Sequence, residues 1–309
     1  MYDVIVVGGG PAGMTAALYA LRNGKTALVI EKNGFGGQIT HSPKVENYPG
    51  TLSASGNEIA ESMLNQILEQ GADITIETVT GITVETVDGV PEVKKVATEE
   101  GEVYEGRTVI IATGVKHRML GLPGEYELVG EGISFCAVCD GDFYAGQTVC
   151  VAGGGNSALQ EAILLAEKCK EVILLQDLPY FTGEQRLQDV LFARPNVRGI
   201  VNQKITGLVT GSEGLAAVET EDRTTGEKQQ VACTGLFVAI GLIPENEPFM
   251  ELADCNAYGY FDTDEGCQTK TPGVFVAGDC RSKGVRQLTT AVADGATAAL
   301  AACRYINLQ

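Results

Sequence analysis

Two cysteines three residues apart, Cys136 and Cys139, stand in the stretch GISFCAVCDGDFY, and an aspartate, Asp140, follows them at once. That spacing suits three kinds of chemistry: a short structural crosslink, half of a metal site, or two thiols that cycle between dithiol and disulfide. The local residues leave all three open. Two glycine-rich stretches could hold phosphate. Gly8, Gly10 and Gly13 make G-x-G-x-x-G, and Gly153, Gly155 and Ala158 make G-x-G-x-x-A. In such a turn the first glycine permits the tight bend and the second lets a pyrophosphate approach the backbone. The third position lets helix and strand pack closely. The helix N-terminus beyond then faces the phosphates.

Positioning these residues takes strands and helices in register. The opening segment, YDVIVVGGGPAGMTAALYALRNGKTALVIEK, reads as strand, glycine turn, helix, strand. Val4 to Val7 is a β-branched run bounded by glycine, as a buried parallel strand would be. The second strand, Thr26 to Ile30, ends at Glu31, where a carboxylate can accept hydrogen bonds from a ribose. The unit recurs at QTVCVAGGGNSALQEAILLAEKCKEVILLQD, with strands predicted at Val149 to Ala152 and Val172 to Leu175 and a helix from about Asn156 to Lys168. Further buried strands are expected in TVIIATG, GLFVAIG and GVFVAGD. The last leads through Gly278-Asp279 into a long small-residue helix with Arg286 and Gln287 near its start. Ile74 to Val87 and Val93 to Thr98 read as alternating strands of a small sheet. The fold class expected is α/β, two Rossmann-like three-layer nucleotide-binding domains with the second inserted in the first. The boundaries expected are 1–116 with 244–309 for the first, and 117–243 for the insert.

Composition narrows the function classes. The 309 residues suffice for two domains, and 44% apolar residues suit substantial cores. A net charge of −18 argues against general nucleic-acid binding. No apolar run reaches the roughly 18 residues of a membrane span, so no membrane partner is expected. Nine cysteines, scattered apart from the one pair, do not form a secreted disulfide framework, and a cytoplasmic location fits them better.

In its order of motifs the chain resembles the low-molecular-weight thioredoxin reductases over essentially its whole length. The order runs from the first glycine motif through IIATG, C-x-x-C-D and the second glycine motif to FVAGD and RQLTTAVADGATAA. The resemblance implies a discontinuous FAD domain and a homodimer. It implies that FAD is held by Gly8, Gly10, Ala12, Gly13, Glu31, Gln38, Asn47, Asp279, Arg286, Gln287 and Leu288. It makes Cys139 the flavin-proximal thiol, Cys136 the interchange thiol, and Asp140 a general acid or base, with thioredoxin as the partner. A helix N-cap is the plainer role for Asp140. A zinc half-site would want a second C-x-x-C or nearby histidines, and the chain has only His41 and His117. A crosslink across two intervening residues closes too small a loop to stabilise much. The redox pair is the remaining reading.

The resemblance breaks at one place. Family members that use NADPH carry H-R-R-x-x-x-R after the second domain's second strand, where this chain has Gln176, Asp177, Leu178 and Thr182. Losing two charge-assisted contacts to a 2′-phosphate costs roughly 3–6 kcal/mol, so NADPH is disfavoured as donor. Asp177 sits where an acid would bind the ribose of NADH. The alternative, favoured here, resembles the clostridial-type members that lack the arginines and take electrons from reduced ferredoxin. Arg281, Lys283 and Arg286 are then expected to form a basic patch that steers an acidic ferredoxin. Two other classes stay open: a flavin-dependent dithiol oxidase, and a non-catalytic flavin-binding module.

Overall fold

The computed structural model describes residues 1–309 except 43, 88, 89 and 213, and the side chains of 86–87 and 90–92 are also left undescribed. The chain divides into two compact units, Met1–Lys116 with Ile243–Gln309, and His117–Leu242. The continuous and discontinuous pieces follow the parallel pairing of Val109 to Ile111 with Val274 to Val276, which joins strands on either side of the inserted unit.

In the first unit a parallel sheet runs in the order Asp73–Ile76, Ala27–Glu31, Tyr2–Val7, Val103–Ile111, Val274–Val276. Its strands are nearly continuous apolar runs because both faces are covered. Val4, Val6, Val29 and Ile110 pack against the helices Pro11–Arg22 and Leu288–Asn307 through Ala16, Ala20, Ala298 and Ala302. Ile5, Val7, Leu28, Ile30, Val109 and Ile111 face the other way, onto Ile82 and Val96. Those two belong to the antiparallel strands Val79–Val87 and Val90–Thr98, which extend the N-terminal half of Val103–Ile111. The small sheet expected around Ile74 to Thr98 is therefore part of the large one.

The second unit repeats the plan. Five parallel strands run in the order Val197–Ile200, Glu171–Leu175, Thr148–Ala152, Gly235–Val238, Ile133–Ser134. Val149, Val151, Val172 and Leu174 meet the helix Asn156–Leu165 through Ala158, Leu159 and Ala162. Cys150, Ala152, Ile173 and Leu175 meet a three-stranded antiparallel sheet, Gln203–Gly211, Gly214–Asp222 and Lys228–Ala232, through Ile205, Val218 and Val231. The predicted helix ends three residues early, at Leu165, because residues 166–168 form a turn that feeds Glu171–Leu175.

Candidate active site

The two glycine turns are built alike. Gly8 has φ +110° and Gly153 φ +125°, left-handed values that favour glycine. A Cβ on either would strike the carbonyl oxygen just past the end of a neighbouring strand, that of Ala112 at 2.4 Å and of Ala239 at 2.5 Å. Gly13 is required for contact: its Cβ would lie 1.9 Å from the Gly8 oxygen. Gly10 is different, with φ −77° and nothing within 4 Å of an added Cβ. It precedes Pro11, whose fixed φ suits the first helical position. Glu31 closes the first turn, its Oε2 accepting from Gly9 N–H at 2.7 Å and its Oε1 from Asn33 N–H at 3.0 Å.

Other residues expected at this site gather in part. Gly36 N–H donates to the Gly9 carbonyl, which brings the loop bearing Gln38 beside the turn, with Gln38 exposed. Ala12 is buried, and a Cβ on Gly278 would lie 2.8 Å from its methyl, so Asp279 begins next to the helix start. Asn47 Nδ2 lies 3.3 Å from Gln287 Oε1, and Leu288 opens the helix that Gln287 caps. Asp279 Oδ1 is buried and lacks a well-formed hydrogen bond, although Lys283 Nζ is 3.2 Å away. Burial raises the Asp279 carboxyl, and Lys283 opposes that. An open backbone edge at a helix N-terminus and, nearby, a carboxylate with one buried oxygen short of a well-formed hydrogen bond are the features a dinucleotide with phosphates and hydroxyls would satisfy.

The expected basic patch does not form. Arg281 is buried, its guanidinium 2.8 Å from Asp294 and donating to Thr263 Oγ1. Lys283 lies between Asp279 and Asp294. Arg286 stacks over Tyr260, 4.3 Å from the ring centroid, and donates to the carbonyls of Asp279 and Arg281. Asp294, on the C-terminal helix, pairs with Arg281 and Lys283, and so engages two of what the sequence shows as a run of three cations.

Cys136 and Cys139 form a disulfide with Cα atoms 5.3 Å apart. They lie just past the carboxyl end of the edge strand Ile133–Ser134, where open α/β sheets place their chemistry. Cys136 caps the one-turn helix Ala137–Asp140, and its Sγ accepts the Cys139 N–H at 3.2 Å. Both cysteines are half-buried, and Val138 between them is exposed. Asp140 ends this turn instead of capping its start, and its side chain makes no capping bond to the next turn either. It takes a hydrogen bond from Ser134 Oγ at 2.6 Å, while Ser134 Oγ accepts the Cys136 N–H at 3.1 Å. Asp140 Oδ1 is buried with no partner. Burial raises the Asp140 carboxyl, against the lowering effect of Ser134.

Two further residues belong to this centre and were not foreseen. Tyr144 stands edge-on to Phe237, and its phenol is pushed up to about 12, first by burial and then by Asp140. Glu161, on the helix Asn156–Leu165, accepts the Ala137 N–H through Oε2. Its only sequence signal is a carboxylate between Ala158, Leu159, Ala162 and Leu165, which are all buried. Among the described residues no group of three or more His, Cys, Asp or Glu is arranged to hold a metal, and no helix is long and apolar enough to cross a membrane.

Two Rossmann-like sheets, one with an open glycine turn and the other with a redox-capable cysteine pair at its carboxyl edge, define a flavoprotein disulfide oxidoreductase. The chain belongs to the pyridine nucleotide-disulphide oxidoreductase family, whose profile matches residues 2–295. FAD is the cofactor that this membership implies, and the first unit's turn and the Asp279 carboxylate, with Oδ1 short of a well-formed hydrogen bond, fit it. The chain is 38% identical over 307 residues to a thioredoxin reductase of Listeria innocua, covering 99% of this chain and 94% of the relative. It is also 38% identical over 305 residues to a 34.2 kDa protein in the rubredoxin operon of Clostridium pasteurianum, covering 99% and 97%. The crystal structure of thioredoxin reductase from Streptococcus pyogenes superposes with a TM-score of 0.93 at 37% identity, covering 100% of this chain and 99% of that one.

Proposed function

We propose that this chain is an FAD-dependent thioredoxin-disulfide reductase whose electrons come from reduced ferredoxin rather than NADPH. The observation that carries the reading is the Cys136–Cys139 disulfide beside Asp140, in a chain matching named thioredoxin reductases along 99% of its length. Gly8, Gly10, Ala12, Gly13, Glu31, Gln38, Asn47, Asp279, Arg286, Gln287 and Leu288 would hold FAD in the first unit, with the second unit pyridine-nucleotide-like in fold. The chemistry FAD would supply is two-electron transfer. The rest falls to the chain's own residues. Reduced Cys136 attacks a disulfide of thioredoxin, forming a mixed disulfide as the thioredoxin S–S bond breaks. Cys139 then displaces the second thioredoxin sulfur and restores the Cys136–Cys139 bond. Two electrons and the two thiol protons of the dithiol end on two thioredoxin thiols, and Asp140 passes a proton to the leaving sulfur.

The donor assignment rests on the rim of the second glycine turn. No cation occurs at positions 176–183. Gln176 is buried and turned inward, its Nε2 donating to the Tyr180 carbonyl. Asp177 is paired with Arg223 at 2.8 Å, which occupies the carboxylate that NADH would need. The relative named for a rubredoxin operon accords with a donor that is an electron carrier. A cytoplasmic homodimer belongs to the same reading.

The test is anaerobic bleaching of the purified yellow protein by NADPH, NADH and reduced ferredoxin in parallel, followed by thioredoxin reduction. Ferredoxin alone should bleach the flavin rapidly. Rapid bleaching by micromolar NADPH overturns the donor assignment, and bleaching by NADH alone gives Asp177 the ribose.

A further inference from the structure

The Cys136–Cys139 turn has a carboxyl group at either end, one holding it and one borne by its last residue, and only one of the two has been given a task. Asp140 closes the C-terminal end of the turn, its backbone N–H on the Cys136 carbonyl at 3.0 Å. Glu161 reaches across from the neighbouring helix to the N–H of Ala137, the peptide directly after Cys136. Lys168 is paired with the exposed Asp142 at 2.6 Å, and the charge of Asp140 raises both the Glu161 carboxyl and the Tyr144 phenol. Ser134 supplies one hydrogen bond to Asp140 Oδ2, and Oδ1 is left buried without a partner. An ionised carboxylate wants both oxygens solvated or bonded, whereas a protonated one can carry its hydrogen on the oxygen that lacks a donor.

We propose that Glu161 is a positioning residue of the dithiol centre: it anchors the Cys136–Ala137 peptide and forms with Asp140 a two-carboxyl unit that holds one proton between them at neutral pH. This rests on Cys136 and Cys139 being the working dithiol and on nothing about the donor. Two neighbouring carboxyls removed from water do not both ionise readily, and the proton belongs to the pair. The charge of Asp140 raises the Glu161 carboxyl beyond what burial does, while the Ala137 N–H opposes both. Glu161 Oε2 already accepts the Ala137 N–H, whereas Asp140 Oδ1 has no donor, so this geometry seats the shared proton on Asp140. That is the position from which it reaches a leaving thiolate. Glu161 thus acts through Asp140 and through the peptide it holds, without touching the reacting sulfurs.

The experiment uses the holoenzyme, reduced by dithionite without any protein donor, and a small aromatic disulfide as acceptor. Exchange rates are followed from pH 5 to pH 9 for wild type, Glu161→Gln, Glu161→Ala and Asp140→Asn. Glutamine keeps an oxygen for the Ala137 N–H but removes the second charge, so Asp140 gives up its proton at lower pH. The alkaline limb of the Glu161→Gln profile should move to lower pH with the low-pH rate little changed. Glu161→Ala should lose rate at every pH, because the Ala137 N–H is orphaned as well. Asp140→Asn should fall by about 10²-fold and lose that limb. A Glu161→Gln profile that superposes on wild type overturns the proposal. Infrared spectra of the wild-type protein give a reading that needs no variant to fold. A protonated carboxyl band should be present at pH 7, and its absence also overturns the proposal. If Cys136→Ser exchanges as fast as wild type, the dithiol reading itself is at fault, and that outcome is distinct from either failure above.

Discussion

At the scale of single residues, the proposed reaction separates the centre into groups that would move electrons and groups that would manage protons. Cys136→Ser should abolish thioredoxin reduction and leave the flavin reducible, whereas Cys139→Ser should stop electrons passing from flavin to disulfide. Stopped-flow bleaching and recovery of the flavin checks both, and near-normal turnover in either variant sinks the assigned relay. Asp140 also makes a prediction about stability. Burial raises its carboxyl above the ordinary 3.8, so the folded protein holds that proton more tightly than the unfolded chain. The associated stability is full below pH 3.8 and is lost as pH climbs through the folded value. Asp140→Asn should therefore gain thermal stability over wild type at pH 8 and little at pH 4. An advantage independent of pH would mean that Asp140 is not a buried acid. The cysteine pair and Asp140 were legible in sequence because their spacing is local. Tyr144 and Glu161 were not, since one joins the centre by packing edge-on to Phe237 and the other reaches it from the helix Asn156–Leu165, and neither shows a motif. The plainer N-cap role is met in position only: Asp140 precedes the short turn Gly141–Tyr144, but its side chain makes no capping bond there.

At the scale of elements, the strand–turn–helix units were legible because each glycine answers a short-range demand. The antiparallel sheet of 203–232 was not, since its three strands carry many polar residues and are held by packing onto Ile173 and Leu175. The basic patch failed for the same kind of reason, as Asp294 reaches Arg281 and Lys283 from the long C-terminal helix. The first glycine turn allows its two duties to be separated by mutation. Gly13→Ala places a methyl against the Gly8 carbonyl, a backbone atom that cannot move aside. A loss of at least about 2 kcal/mol is expected, read by chemical denaturation of the apoprotein. Gly10→Ala meets nothing within 4 Å, so the apoprotein should unfold as wild type does while binding FAD more weakly. If both variants lose stability alike, the open edge at Gly10 is packing space and not a phosphate seat.

At the scale of the whole molecule, charge and connectivity matter most. A net charge of −18 with Arg281, Lys283 and Arg286 internally engaged means that an acidic electron carrier meets net repulsion. Salt screens such repulsion over about 10 Å at 0.1 M, so reduction by ferredoxin should quicken as salt is raised from low levels. A marked slowing would require a basic docking surface elsewhere. The inserted unit starts and finishes at one spot, where the Arg118 N–H donates to the Gly241 carbonyl at 2.9 Å. That junction bears on the order of events during folding. Until residues 117–242 have folded, Ile111 and Val276 are joined by a long floppy tether, and their strands must search for each other. Once the insert has condensed, its ends meet and the tether is short, which lowers the entropic cost of closure by roughly 1 kcal/mol. The insert should therefore act as the nucleus, with the first unit assembling after it. In refolding from denaturant, Tyr144 fluorescence should recover before FAD rebinds. Substitutions that delay the first event should delay the second by as much.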